Sequence, residues 1–323
     1  SFRKQMALEV GILGLPNVGK STLFRALTKV QVEAANYPFC TIDPNIGIVR
    51  IRDPRMIRLT ELVSPEKIIP ATLQIVDIAG LVKGASHGEG LGNQFLSHIR
   101  QVDAVAHVVR CFEDENVVHV DGRLDPVGDV QVIQTELILS DLEQVERKID
   151  RLQRQVKGDR ALAVELGIFE RMRDHLDDGL LASKMGLSKD EKELINELSL
   201  LTLKPYLYIA NISEDGLNNP EVREQQLREL ADEEGVEVIP ICAQVESELS
   251  EMDDDESKLF MEELGIDSSG LDRLTHSGYR MLEQILKKAL SAPKSFILMT
   301  SINWGRNHLS RMPDAGVLKA GIM

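Results

Sequence analysis

Apolar runs spaced along the chain predict its architecture. Near-continuous apolar segments cover Leu8 to Leu13, Thr72 to Ile78, Ala104 to Val109, Tyr206 to Ala210 and Val236 to Ile241. Runs of this length without polar alternation are typical of strands buried on both faces, as in parallel sheets. Because each run is separated from the next by enough chain for a helix, the pattern predicts a doubly wound α/β sheet, in which ligands bind beyond the carboxyl ends of the strands.

A second pattern occupies the middle of the chain, between Asp129 and Leu203. Apolar residues recur there at alternating steps of four and three, which is typical of a coiled-coil seam; they are Ile138, Leu142, Val145, Ile149, Leu152 and Val156. After Gly158-Asp159 a second stripe follows, formed by Leu162, Leu166, Phe169, Met172 and Leu176. We therefore predict an antiparallel helical hairpin at 129–202, inserted into a main domain of residues 1–128 and 203–282. Ordinary surface helices packed on the sheet are the alternative.

Composition narrows the class of protein. The 323 residues carry a formal charge of −15, with 43% hydrophobic and 28% charged residues. An acidic surface of this kind is not built to attract bulk DNA or an anionic membrane, and no apolar run is long enough to span one. The three cysteines lack paired spacing, which disfavours both a disulfide scaffold and a zinc site. A cytoplasmic protein is the simplest expectation.

The first apolar run leads into a phosphate-binding sequence. Gly14-Leu15-Pro16-Asn17-Val18-Gly19-Lys20-Ser21 has the form G-x-x-x-x-G-K-S between a predicted strand and a predicted helix. Glycines let backbone N–H groups close around phosphate oxygens, the Lys20 ammonium reaches the terminal phosphates, and the Ser21 hydroxyl can ligate Mg²⁺. The motif predicts a P-loop nucleoside triphosphatase with a Ras-like nucleotide domain.

A second motif favours a nucleotide-controlled switch over a kinase or transporter. Asp77-Ile78-Ala79-Gly80 closes the second apolar run, so that Asp77 can hold Mg²⁺ through water and the Gly80 N–H can sense a γ-phosphate. The glycine-rich stretch 84–92 follows, and ligand binding is expected to order it. Thr41, after the first helix, is the candidate that completes the Mg²⁺ shell.

The residues after the fourth run bear on the choice of base. GTPases carry Asn-Lys-x-Asp at this place, whereas this chain has Asn211-Ile212-Ser213-Glu214. The aspartate of a GTPase accepts hydrogen bonds from guanine N1–H and its amino group, but adenine presents an acceptor at N1. Glu214 is one methylene longer, and Ile212 replaces the lysine stem that stacks on the base. We therefore expect weakened guanine selectivity, with a GTPase in which Glu simply replaces Asp as the open alternative.

These motifs resemble those of the Obg-like ATPase family known as YchF, related to P-loop GTPases of translation. The similarity runs over about residues 6–282 and rests on the P-loop with Thr22, on 36–44, on Asp77 to Ser86, on Gly90 to Asn93, on His107 to Phe112 and on Asn211 to Gly216. The resemblance implies hydrolysis of ATP in preference to GTP, a helical insertion and association with ribosomes. It also implies that Cys242 and Ala243 form the last nucleotide loop.

Catalysis requires a source other than the usual glutamine, because Leu81 stands where Ras-like enzymes carry it. Asn17 could help hold K⁺ near the phosphates, as in related potassium-activated enzymes. His87 and His119 are alternative loop candidates, each with the competing interpretation of a histidine without a role, whereas His107 lies in an apolar run and is predicted to be a core residue. We expect slow intrinsic turnover, and incidental hydrolysis in a nucleotide-gated binding scaffold is the alternative.

The predicted site residues fall into three groups. The nucleotide-binding group is Asn17, Val18, Gly19, Lys20, Ser21, Thr22, Asn211, Ile212, Glu214, Cys242 and Ala243; the Mg²⁺ group is Ser21, Thr41 and Asp77; the catalytic group is Lys20, Gly80, Asn17, His87 and His119.

The resemblance stops near residue 282. The family normally ends in a small TGS domain, but residues 283–323 lack its motifs and form an atypical C-terminal tail. The tail is locally basic and contains Trp304, so an RNA-contacting patch and an altered terminus are both open interpretations.

Overall fold

A mixed sheet of six strands organises the computed structural model. The model describes residues 8–29, 45–50, 72–78, 91–114, 124–156 and 160–290, with isolated positions between 58 and 65. The strands are β1 (Leu8–Leu13), β2 (Ile46–Arg50), β3 (Thr72–Asp77), β4 (Ala104–Arg110), β5 (Tyr206–Asn211) and β6 (Val238–Ile241). They lie in the order β2-β3-β1-β4-β5-β6, and every neighbouring pair is parallel except β2 with β3.

The strand predictions are confirmed except at the sheet edge. All five predicted strands form, and their ends differ from the prediction by at most two residues. The prediction missed β2, and the sheet is therefore mixed rather than wholly parallel. β2 is short, contains Gly47 and ends at Arg50. Such a segment carries a weak strand signal, and its pairing with β3 is a tertiary contact.

Two groups of helices pack on this sheet. The helices are α1 (Lys20–Lys29), α2 (Leu91–Gln101), α3 (Pro126–Gln155), α4 (Arg160–Asp177), α5 (Lys189–Asn196), α6 (Val222–Glu234), α7 (Ala243–Leu249), α8 (Asp254–Glu263) and α9 (Gly270–Leu290). Helix α1 contacts α7, β2 and β3, whereas α3 contacts β4 and α6. Among the helices within the described ranges, none is long and apolar enough to cross a membrane.

Local sequence sets where α3 begins. The Asp125 side chain accepts a hydrogen bond from the Gly128 N–H at 3.0 Å, and Pro126 occupies the first helical turn. A carboxylate accepts a hydrogen bond from one of the N–H groups at a helix start that have no acceptor within the helix. Proline has no N–H, and its absence costs nothing in the first turn, where an N–H would have no helical acceptor. The helix therefore starts three residues before the predicted boundary at Asp129.

The first turns of α3 pack on the sheet. Val130 is buried in one apolar cluster with Val109 and Tyr208. Gln134 Nε2 donates to the Tyr208 hydroxyl at 3.0 Å and to Glu234 Oε1 at 2.8 Å, which links α3 to β5 and α6. The alternative interpretation, in which the segment forms ordinary surface helices packed on the sheet, therefore applies only to the first turns of α3.

Beyond Ile138, α3 pairs with α4 as a helical hairpin, and the predicted insert is confirmed. The two predicted stripes meet in one core, whose fully buried members include Val145, Phe169 and Met172. Lys148 Nζ of α3 forms an ion pair with Glu165 Oε1 of α4, at a distance of 2.8 Å. Val156, predicted to belong to the seam, instead caps the end of α3, because the helix stops at Gln155.

The buried carboxylate of Asp141 binds the segment of chain that returns from the hairpin to β5. Asp141, on α3, accepts hydrogen bonds from the backbone N–H groups of Leu201 and Thr202, both at 2.8 Å, and from Thr202 Oγ1 at 2.7 Å. Burial raises the pKa of Asp141, and these hydrogen bonds act in the opposite direction by favouring the ionised form. The three donors compensate the cost of placing a carboxylate in the interior.

His107 is a core residue, as predicted. It is buried on β4, with its ring centroid 5.6 Å from that of Tyr208 on β5. Burial lowers the pKa of His107 to about 3, and the positive charge of Lys20 acts in the same direction. The imidazole is therefore neutral at physiological pH and serves packing.

The chain divides into two units, residues 1–279 and 280–323. The second unit is described only to Leu290, as the end of α9. Most of the predicted tail therefore lies outside the described residues.

Replacing the buried carboxylate tests how the insert is fastened. Asp141→Ala leaves two buried N–H groups and a hydroxyl without their acceptor, and we expect a loss of about 3 kcal/mol in the free energy of unfolding. Asp150→Ala, at an exposed position of the same helix, should change it by less than about 0.5 kcal/mol. Urea denaturation of both variants is the measurement, and equal effects would contradict the fastening role.

Candidate functional site

The loop between β1 and α1 is shaped by two close backbone approaches. A Cβ on Gly14 would lie 2.5 Å from the Val108 carbonyl oxygen, and one on Gly19 would lie 2.2 Å from Asn211 Nδ2. Gly19 also has a φ of +97°, which disfavours any other residue. Asn17 is exposed at the loop apex with a φ of 63°. The glycines thus let the loop lie directly against the ends of β4 and β5.

Lys20 is buried at the start of α1 and points back into this loop. Its Nζ donates to the carbonyl oxygens of Gly14 at 2.9 Å and Leu15 at 2.6 Å. Burial lowers the pKa of Lys20 to about 8, and the negative charge of Asp77 opposes that shift. A partly desolvated ammonium inside a loop of glycines is arranged to gain from an anion such as a terminal phosphate.

Asp77 and Ser21 supply oxygen donors beside the loop. Asp77 ends β3 in register with Ile12 of β1, and Ser21 is exposed in the first turn of α1. Burial raises the pKa of Asp77, whereas the nearby Lys20 lowers it. A hydroxyl and a carboxylate are hard oxygen ligands that fit Mg²⁺, which takes few protein ligands when phosphates and water complete its shell.

A dedicated protein cage for a metal is not found in the described parts of the chain. No group of three or more His, Cys, Asp or Glu residues there could hold an ion.

The side chain of Asn211 joins three loops. Its Nδ2 donates to the Val18 carbonyl oxygen at 2.8 Å, and its Oδ1 accepts from the Ala243 N–H at 3.1 Å. The residue is buried, so both bonds form in a medium of low polarity. Asn211, predicted near the base, therefore has a structural task that the sequence analysis missed: it ties the P-loop to the loop after β6. A polar amide at the end of an apolar run is the sequence signal that could have revealed it.

Of the residues that follow β5, some are buried in the core and others are exposed at the surface. Ile212 is 2% exposed within the apolar cluster that contains Tyr208 and Leu227. Its side chain packs in this cluster, and Ile212 as a nucleotide contact stays a prediction. Glu214 is exposed at the start of a short 3₁₀ turn, Asp215–Leu217. Glu214 is therefore the member of this motif that is free to face a base.

The loop after β6 lies beside Glu214. Cys242 is buried and precedes α7; burial raises the pKa of its thiol, and the negative charge of Glu214 contributes in the same direction. Asn211 also pairs with Ile241, so the loops after β5 and β6 start side by side. The Ala243 N–H is already bonded to Asn211, so it is not free for a base.

Arg110, at the end of β4, is an organising residue that the sequence analysis did not single out. It is buried and donates from Nε to the Phe112 carbonyl oxygen at 3.1 Å and from Nη2 to that of Asp114 at 3.1 Å. Its guanidinium carbon also lies 4.6 Å from the centroid of the Phe112 ring. The arginine therefore sets the direction of the chain as it leaves the sheet.

Several predicted residues cannot be placed. Thr41, Gly80, Leu81, His87 and His119 lie outside the described residues. Of the others, Val18 and Gly19 pack against Asn211, Lys20 is bonded to the carbonyl oxygens of Gly14 and Leu15, and Ser21 and Thr22 are exposed in the first turn of α1.

A P-loop at the end of β1, an acidic residue ending β3 and a helical hairpin inserted before β5 define a P-loop nucleoside triphosphatase with a GTPase-like fold. The comparisons with known proteins agree. A family model described as 50S ribosome-binding GTPase matches residues 9–154. The ribosome-binding ATPase YchF of Escherichia coli O157:H7 is 52% identical over 279 residues, which cover 86% of this chain and 76% of that protein. The chain belongs to the YchF family.

Other relatives have similar coverage. The ribosome-binding ATPase YchF of Bacillus subtilis (strain 168) is 50% identical over 280 residues, 86% of this chain and 76% of that protein. A solved structure, described as the Schizosaccharomyces pombe YchF GTPase, superposes with a TM-score of 0.77 at 39% identity, covering 87% of this chain and 77% of that one.

Removing the Asn211 amide tests its role in the site. Asn211→Ala leaves the Val18 carbonyl and the Ala243 N–H without their hydrogen-bond partner, so the P-loop is no longer held to the loop after β6. We expect nucleotide affinity to fall by about tenfold or more. A tenfold loss corresponds to about 1.4 kcal/mol of binding free energy. Asn218→Ala is the matched control, since Asn218 also donates to a carbonyl, that of Leu264, at 2.8 Å but outside this site. Calorimetric titration with a non-hydrolysable nucleotide measures both, and equal affinities would refute the assignment.

Proposed function

We propose that this protein is an ATP-hydrolysing molecular switch that acts with the ribosome in the cytoplasm. The observation that carries the proposal is the position of Glu214. It is exposed three residues after the end of β5, at the sequence position of the guanine-reading aspartate of GTPases. The names of the E. coli and B. subtilis relatives, ribosome-binding ATPase, agree with this assignment.

The choice of base rests on the chemistry of this side chain, because the solved relative from S. pombe is described as a GTPase. A carboxylate facing adenine N1 would meet a lone pair, so Glu214 gains nothing from a hydrogen bond at that atom. Glu214 is also one methylene longer than the aspartate that reads guanine. Its carboxylate therefore does not meet the guanine N1–H and amino group in the geometry that an aspartate gives. With Ile212 withdrawn into the core, guanine loses both of the contacts that normally select it.

Phosphate binding is assigned to the loop and the start of α1. The ammonium of Lys20 would exchange the carbonyl oxygens of Gly14 and Leu15 for phosphate oxygens, which are stronger acceptors because they are charged. Ser21 and Asp77 would hold Mg²⁺, Asp77 through water, with Thr41 as a further ligand. When bound, Mg²⁺ supplies charge neutralisation between the phosphates.

Control of hydrolysis is assigned to the loops that follow β3. Gly80 would sense the γ-phosphate, and Leu81 leaves the attacking water without a polar side chain to orient it. We therefore assign catalysis to Asn17 with K⁺, with His87 and His119 as further candidates, and expect slow turnover until a partner binds. Leu81 also favours a second candidate function, a nucleotide-gated binding scaffold in which hydrolysis is incidental.

Calorimetry separates ATP from GTP selectivity. We expect the non-hydrolysable ATP analogue to bind more tightly than its GTP counterpart in Mg²⁺ buffer. Glu214→Asp, which restores the length of a guanine reader, should move the preference towards GTP by about tenfold, an amount typical of one polar contact. Asp215→Glu, a change at the exposed neighbour, should leave the preference as it was. GTP binding tenfold tighter than ATP binding in the unmodified protein would overturn the proposed base.

Single-turnover hydrolysis separates the switch from the scaffold. Intrinsic turnover should lie well below the roughly 1 to 100 s⁻¹ of kinases, and K⁺ or ribosomes should accelerate it. Asn17→Ala should remove the K⁺ effect, and Lys20→Ala should abolish hydrolysis under every condition. Rapid turnover in Na⁺ buffer would contradict the catalytic assignment, and no acceleration under any condition would favour the scaffold.

A further inference from the structure

The chain on both sides of Glu214 is fixed by backbone hydrogen bonds. Before it, the Ile212 N–H donates to the Ile241 carbonyl oxygen of β6 at 3.0 Å, and the Ile212 side chain is buried. After it, the Leu217 N–H donates to the carbonyl oxygen of Glu214 itself at 3.0 Å, which closes the short 3₁₀ turn. Glu214 has ordinary helical dihedral angles, with φ −61° and ψ −44°. Its side chain is therefore the exposed part of a residue whose backbone is held in place.

The hydroxyl of Ser213 joins this turn to the start of helix α6. Ser213 Oγ accepts a hydrogen bond from the Gly216 N–H at 3.1 Å and donates one to Glu221 Oε1 at 2.6 Å. A serine hydroxyl has one proton and two lone pairs, so it can fill both roles at once. The bond to Glu221 is the stronger of the two, because a charged acceptor shortens and strengthens an O–H···O contact. We call residues 213–217 the Glu214 turn.

Glu221 holds the Glu214 turn instead of capping its own helix. It is the N-cap residue of α6, yet its side chain accepts no hydrogen bond from the first N–H groups of that helix, which the structure describes in full. Side chains at this place commonly satisfy such N–H groups. The Glu221 carboxylate bonds to Ser213, and its backbone carbonyl takes the usual helical role by accepting from the Gln225 N–H at 3.0 Å. Since α6 is packed in the core through Leu227, the turn is bonded to a fixed element.

The Glu214 turn is closely packed at Gly216. A Cβ at this position would lie 3.2 Å from Glu221 Oε1, 3.2 Å from the Ile212 Cβ and 3.3 Å from Ser213 Oγ. The core residue before Glu214, the hydroxyl and the carboxylate therefore converge on one glycine. Packing of this density leaves little space for the turn to move while the bond between Ser213 and Glu221 is in place.

We propose that Ser213 and Glu221 are positioning residues for base selection. By holding the Glu214 turn, they prevent the backbone of Glu214 from shifting back by the length of its additional methylene. The Glu214 carboxylate then does not take the position of the aspartate that reads guanine, and guanine is disfavoured. This inference rests on the proposed function, because that function assigns Glu214 to the base. It adds that selectivity depends on how Glu214 is held as well as on its length.

Calorimetric titration of the full chain tests the positioning role. Affinities for non-hydrolysable ATP and GTP analogues are measured in Mg²⁺ buffer, and the ratio of the two affinities is the readout. Ser213→Ala removes the hydroxyl, and we expect the ratio to move towards GTP by at least about threefold while the affinity for the ATP analogue stays within about twofold. Ser213→Thr keeps a hydroxyl and should retain the original ratio.

Glu221→Ala tests the same bond without altering the turn itself. It leaves the Ser213 hydroxyl without its carboxylate, so the ratio should move in the same direction as in Ser213→Ala. Because both substitutions remove one shared bond, the double variant should move the ratio no further than Ser213→Ala alone.

A Glu214→Ala background distinguishes positioning from a general structural role. Without this carboxylate there is nothing to position, so adding Ser213→Ala should leave the ratio unchanged. Ser277→Ala is the matched control, since Ser277 Oγ donates to Glu237 Oε1 at 2.9 Å, at the amino end of β6 and away from the P-loop. Both single serine variants lose a bond between a hydroxyl and a carboxylate and should unfold at a lower temperature, but only Ser213→Ala should move the ratio.

The outcomes separate this inference from the proposed function. An unchanged ratio in Ser213→Ala, or an equal shift in the absence of the Glu214 carboxylate, would overturn the positioning role. If Glu214→Asp moves the preference and Ser213→Ala does not, the proposed function stands and only the positioning role is lost. If Glu214→Asp leaves the preference unchanged, the assignment of Glu214 to the base is itself wrong, and the positioning role is refuted with it.

Discussion

One buried amide holds the nucleotide site together. Asn211 bonds to the P-loop through Val18 and to the loop after β6 through Ala243, so three chain segments that are far apart in sequence meet at a single side chain. The close approach of Gly19 to the same amide leaves no space for a Cβ. Because a buried amide without its partners is costly, these hydrogen bonds hold the three segments in one arrangement. Preorganisation of this kind lowers the cost of binding phosphates.

The helical insert extends the nucleotide domain through one continuous helix. Its first turns belong to the core under the sheet, with Val130 among residues of β4 and β5, and its later turns form the hairpin with α4. The buried Asp141 carboxylate joins these two regions to the returning chain. A continuous helix is stiff on this length scale, so the two cores are mechanically linked although their apolar clusters are distinct.

The identity of the base depends on a small number of side chains at the end of β5. Burial of Ile212 and exposure of Glu214 divide the motif between core and surface. Relatives described as ATPase and as GTPase share this fold. The fold therefore does not by itself determine the base, and selectivity depends on local donors and acceptors.

The sequence by itself determined the elements whose signals are local. Apolar runs identified β1, β3, β4, β5 and β6, the heptad steps identified the hairpin, and the P-loop glycines with Lys20 identified the phosphate site. Tertiary structure alone decided the antiparallel edge strand β2, whose residues carry a weak signal without their partner β3. It also decided that Asn211 ties loops together and that Ile212 faces the core. Periodicity and motif spacing report on neighbours along the chain, whereas these roles depend on contacts across it, which appear only once the sheet has brought distant segments together.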